Sequence, residues 1–68
     1  MKLILFVGPD RYPYAIRVET SDLISKEIGP WLLNQFGHPS DTNRFHCQGY
    51  NIYFLNSADR DWFILRWQ

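Results

Sequence analysis

A chain of 68 residues with seven basic and seven acidic side chains carries no formal net charge. That balance excludes a polybasic nucleic-acid binder, which needs a basic stripe, and an acidic DNA mimic, which needs a negative excess. The length allows one domain with a thin core, since chains this short bury only about 60% of the surface they expose when unfolded.

Short domains are usually reinforced by disulfides, a metal or self-association. One cysteine, Cys47, cannot close an internal disulfide. Aromatic bulk is the remaining resource, with three Trp, four Tyr and five Phe. Each buried ring removes roughly 150–250 Å² from water. So many rings exceed what a thin core hides, so some are expected to face a partner. The opening MKLILFVG is too short an apolar run for a signal peptide, and no run approaches the ~20 residues of a membrane span. These features predict a cytoplasmic protein with a free thiol and no membrane partner.

Lys2 to Val7 is a continuous apolar run closed by Gly8-Pro9-Asp10. Its length predicts a strand, and apolar residues on both faces predict a central one. Gly8 to Pro13 holds two prolines and reads as a turn. Tyr14 to Glu19 alternates, with Tyr14, Ile16 and Val18 on the inward face, and should pair with the first strand as a hairpin.

Thr20-Ser21-Asp22 supplies helix-starting side chains. Leu23, Ile24, Ile28, Trp31, Leu32 and Phe36 then recur near a 3.6 period, forming one apolar face. Gly29-Pro30 interrupts it, because a proline inside a helix costs about 3 kcal/mol. The expectation is a kink, or two short helices with Pro30 at the start of the second. Gly37 is the natural stop, and His38 to Asn43 reads as a polar loop.

Arg44 to Gln48 is extended, and Gly49 is either a tight hairpin turn or a bulge. Asn51 to Leu55 is a strand. Asn56-Ser57 caps the final element, and Asp59 and Asp61 suit a helix's first turn. A C-terminal helix would place Ala58, Trp62 and Leu65 on one face, with Phe63 and Trp67 beside it. The competing reading makes Trp62–Trp67 a strand. The fold class expected is α+β, a small antiparallel sheet of three or four strands with one kinked helix on a face and a short C-terminal helix.

The stretch Tyr53-Phe54-Leu55, the break Asn56-Ser57-Ala58-Asp59 and the close Phe63-Ile64-Leu65-Arg66-Trp67 resemble the ends of short uncharacterised proteins of tailed bacteriophages. Ile28-Gly29-Pro30 after a helix resembles that group too. The resemblance covers the C-terminal two thirds of the chain and implies a phage origin. It carries no active site to transfer.

The residues themselves point away from chemistry. His38, His46 and Cys47 are the only imidazole or thiol ligands, and neighbouring strand residues such as His46 and Cys47 point to opposite faces. Spacings typical of structural zinc are absent. A Cys–His nucleophile pair would need proximity that no sequence feature provides. No cofactor is expected, and no enzyme.

Interface hot spots favour Trp, Tyr and Arg, all abundant here, and Lys is scarce. The expected anchors are Trp31, Tyr12, Tyr14, Arg66 and Trp67. The function expected is a phage-encoded binding protein that inhibits or redirects a host factor, such as a defence component, by covering its surface. The alternative is a single-stranded nucleic-acid binder, with Tyr12, Tyr14, Tyr50 and Tyr53 as stacking platforms and Arg11, Arg17, Arg44 and Arg66 near phosphates. A homodimer is also expected, because an open sheet edge gains from pairing.

Overall fold

The computed structural model describes residues 2–19 and 21–67. The apolar run after Lys2 pairs with the alternating stretch beyond the prolines. β1 (Ile4–Val7) and β2 (Tyr14–Arg17) form an antiparallel hairpin with Leu5 opposite Ile16 and Val7 opposite Tyr14. A second hairpin joins β3 (Phe45–Gln48) to β4 (Asn51–Phe54). Its loop is Gly49-Tyr50, with Gly49 at φ 60°. A positive φ at the first loop residue suits a tight II′-type turn and needs glycine, so Gly49 makes a turn and not a bulge.

β2 pairs with β4, which gives one sheet of order β1-β2-β4-β3. The first strand is therefore an edge, not the centre its two-faced apolar pattern suggested. β4 occupies the other side of β2, and among the described residues β1 has no second neighbour. All four β1 side chains are exposed.

The helical layer covers one face of the sheet. α1 (Ser21–Leu23), a π turn (Ile24–Ile28) and α2 (Gly29–Phe36) run on as one bent helix. Thr20, expected to help start it, lies outside the described residues. Gly29-Pro30 neither ends the helix nor divides it. It widens one turn, with the Gly29 N–H donating to the Ile24 carbonyl five residues back. The wide turn accommodates a proline that lacks an N–H and would otherwise crowd the preceding turn. Gly29 is needed because a Cβ there would sit 2.6 Å from that same carbonyl oxygen.

In a regular α-helix each step of four residues advances the face by about 40°. The wide turn takes back part of that drift. Ile24, Ile28, Leu32 and Phe36 all end up buried, against Ile16, Val18, Phe45, Ile52 and Phe54 of the sheet side.

His38 to Asn43 is more ordered than a polar loop. It holds a helical turn, α3 (Pro39–Thr42), capped by His38, whose Nδ1 accepts the Ser40 N–H at 3.2 Å. Asn43 ends it at φ 56°, a left-handed position that asparagine tolerates.

α4 (Ser57–Trp67) is a helix, which excludes the strand reading of Trp62–Trp67. The Asn56 Oδ1 accepts the Asp59 N–H at 2.9 Å and caps it. Its inward stripe is Asp59, Phe63 and Trp67, at intervals of four. Ala58, Trp62 and Leu65 share a face as expected, but that face is exposed. The inward stripe includes Asp59, a charged residue that looks unfit for burial and is nevertheless buried. Arg44 grips it with two bonds, Nε to Oδ2 at 2.9 Å and Nη2 to Oδ1 at 2.6 Å.

Candidate functional site

The five expected anchors do not form one site. Trp31 and Trp67 pack edge to face at 6.1 Å on the helical layer, each half-buried and each against Phe63. Arg66 lies with its guanidinium 4.5 Å from the Trp67 ring centre. Tyr14 sits on the helix-bearing face of the sheet, under the Arg60 guanidinium at 5.2 Å. Tyr12 stacks on His46 at 6.2 Å, and His46 belongs to the opposite, helix-free face.

Trp31 and Trp67 act chiefly as core. Trp31, Phe36, Phe54 and Phe63 close a ring of aromatic contacts at 5.7–6.1 Å, and Trp67 extends it. Among the described Phe, Tyr and Trp residues the exposed ones are Phe6, Tyr50 and Trp62, and the other exposed large apolar side chains are aliphatic. Much of the aromatic content therefore serves the interior.

Two surfaces that the sequence pattern does not single out are prominent. The first lies on α4, where Trp62 is 50% and Leu65 66% exposed. Residues three apart on a helix are neighbours, so these two form a continuous apolar ridge. The Trp62 Nε1–H donates to Gln35 Oε1 of α2 at 3.3 Å, which fixes the indole across the two helices. Arg66, four residues after Trp62, lies next to this ridge and is exposed. The clue in the sequence is that Phe63 and Trp67 are four apart, a stripe that excludes Trp62 from the interior.

The second surface is the β1 edge. Beside it Leu5, Phe6, Val7, Pro13, Tyr14 and Arg60 line an open hollow. Its clue is positional, since the first strand of a hairpin is assured only one neighbour.

No protein-family model, curated protein or solved structure matches the chain. The site therefore rests on its geometry alone.

The helix-free face carries a row of rings. Phe6 meets Tyr53 edge-on at 6.0 Å, and Tyr53 meets His46 at 6.1 Å. Ala15 lies between Phe6 and Tyr53 in the cross-strand register and is fully covered. Tyr14 faces the other side, and Tyr50 sits in the β3–β4 turn with Arg17 at 5.5 Å from its ring. The four tyrosines thus do not share a platform.

Among the described residues, no three His, Cys, Asp or Glu side chains gather as metal ligands, and no helix is long and apolar enough to cross a membrane. His46 is exposed on the helix-free face. Cys47 points inward among the core's edge residues. Asp59 is held by Arg44, and Asp61 by Arg60 at 3.1 Å.

Burial pushes the Cys47 thiol up to about 11. Its thiolate fraction at pH 8 should be on the order of a hundredfold below that of an open thiol. Alkylation by iodoacetamide at pH 8 is therefore expected to be roughly a hundredfold slower in the native protein than in urea. Because the folded value exceeds the unfolded one, the thiol's contribution to stability is complete below about pH 8.5. It declines as pH rises from there towards 11. Equal alkylation rates in native buffer and urea would show that Cys47 is not sealed.

Proposed function

We propose that this is a small binding protein that acts by covering a surface on a protein partner, gripping it with Trp62, Leu65 and Arg66 of α4. The observation that carries the reading is the half-exposed Trp62, pinned to Gln35 and continued by Leu65. A tryptophan held in place loses little conformational freedom on binding, and Trp and Arg dominate interface hot spots. Trp31 and Trp67, packed on each other and on Phe63, hold α4 against the bent helix. The C-terminal resemblance to short phage proteins favours a host factor, such as a defence component, as the partner.

A tagged copy incubated with host lysate is expected to retain one partner in stoichiometric amount. Trp62→Ala should weaken that complex at least thirtyfold, the equivalent of a hot spot of about 2 kcal/mol. Far-UV circular dichroism should be unchanged, because the ring is half outside. Retention unaffected by Trp62→Ala and Leu65→Ser together would move the grip elsewhere. An empty pull-down across several hosts would end the reading.

A second reading draws on the helix-free row Phe6, Tyr53, His46 and Tyr12, with Arg11 at 5.9 Å from the Tyr12 ring. Such rings can stack unpaired bases. Here the rings already pack on one another, which favours the first reading. Salt-dependent anisotropy of a labelled oligonucleotide, lost in Tyr53→Ala, would support the second.

A further inference from the structure

The β1 edge has the geometry of a self-pairing strand, and we infer that the protein forms a two-fold dimer through it. Gly8 N–H donates to the Pro13 carbonyl at 3.0 Å, which marks Gly8 and Pro13 as a hydrogen-bonded pair. Antiparallel ladders alternate, so Phe6 with Ala15 and Ile4 with Arg17 are the other bonded pairs. The N–H and C=O groups of Leu5 and Val7 consequently point away from β2, towards the open edge.

Two copies of β1 placed antiparallel, Leu5 of one opposite Val7 of the other, join these groups by two reciprocal pairs of bonds. The two-fold axis then passes at Phe6. Phe6 meets Phe6 of the second copy on the helix-free face, in the closer, non-hydrogen-bonded type of pair. Leu5 and Val7 stack alternately on the other face, where the hollow beside Tyr14 in each copy abuts its equivalent. Continued past the strand ends, the same register sets Lys2 towards Asp10 of the second copy, an attractive pairing at both ends of the interface.

Several features favour a second copy over another occupant. The edge is self-complementary in that register, as a two-fold interface requires. Zero net charge raises no repulsion between copies. Ile4, Leu5, Phe6 and Val7 include none of the charges or prolines that guard solitary edges, and Val7 is 86% exposed. A two-fold interface uses the same edge on both copies and so closes at two, leaving β3, the opposite edge, with exposed His46 and Gln48 and buried Phe45, outside the interface. α4 turns Arg60 towards this edge and Trp62 towards α2, so the dimer leaves the proposed gripping ridge free on both copies.

Sedimentation velocity of the full chain between about 10 and 500 µM, a range reaching well above typical dimer constants, should show a species of twice 8.2 kDa. Val7→Lys places a charge opposite Leu5 on both sides of the axis. It should weaken association at least tenfold with circular dichroism unchanged, since the side chain is already outside. In a Cys47→Ser background, Phe6→Cys should oxidise to a disulfide-linked dimer and Ile4→Cys should not. A monomer throughout, a dimer indifferent to Val7→Lys, or a dimer in which Phe6→Cys fails to cross-link would each overturn the inference. None of these results depends on the host partner.

Discussion

Phe63→Ala is expected to leave the protein largely unfolded at room temperature. Phe63 is fully buried and packs on Phe54 at 5.7 Å, Trp31 at 6.0 Å and Trp67 at 6.3 Å. It is the side chain through which α4 holds both the bent helix and β4. Truncating a core phenylalanine costs about 3–5 kcal/mol, the transfer loss plus the cavity left behind. A protein of this length has a total stability of roughly 3–10 kcal/mol. One substitution therefore removes much or all of it. Phe63→Leu keeps most of the volume and should cost under about 1.5 kcal/mol, leaving a cooperative transition. Urea titrations followed by circular dichroism decide the matter. Midpoints for Phe63→Ala and Phe63→Leu that coincide would show that the aromatic circuit does not hold the layers together.

Where the sequence is informative, local physics decides the outcome. The alternation of Asn51 to Leu55 and the cap at Asn56 depend on a residue and its near neighbours, and each forms as expected, while Gly49 takes the turn rather than the bulge of its two readings. The α+β class, the sheet of four strands and the bent helix arise from these local signals. The misplacements concern pairing at long range. An apolar run such as Ile4 to Val7 has the same pattern in the centre of a sheet as on an exposed edge. The difference lies in which strand β2 takes as its second neighbour, and β4 is some 35 residues away. Which face of α4 turns inward is not legible in the sequence for the same reason. Asp59 can be buried because Arg44, just ahead of β3 and distant in sequence, reaches it. Once Asp59 turns inward, the helix period carries Trp62 and Leu65 out to solvent, and the surface proposed to grip a partner results.

That pairing should also show an asymmetric response to mutation. The Arg44 side chain is 41% exposed and Asp59 only 8%. Asp59→Asn leaves a guanidinium that can turn into water and still donate to the amide oxygen, so a cost of about 1 kcal/mol is expected. Arg44→Met retains apolar bulk against Phe36, whose ring centre lies 4.8 Å from the guanidinium. It leaves the Asp59 carboxylate nearly sealed, with the Asn56 side-chain amide, donating to Oδ2 at 3.3 Å, as its remaining partner among the described residues. Losing one partner of a buried pair costs about 3–5 kcal/mol, and a site at the rim of the core belongs at the lower end. The double variant Arg44→Met, Asp59→Leu should recover part of that loss, because no orphaned charge is left inside. Urea midpoints ordered wild type, Asp59→Asn, double variant, Arg44→Met would bear this out. If Arg44→Met proved no worse than Asp59→Asn, the carboxylate would have to reach water by a movement of α4, and the buried pair would not set the direction of that helix.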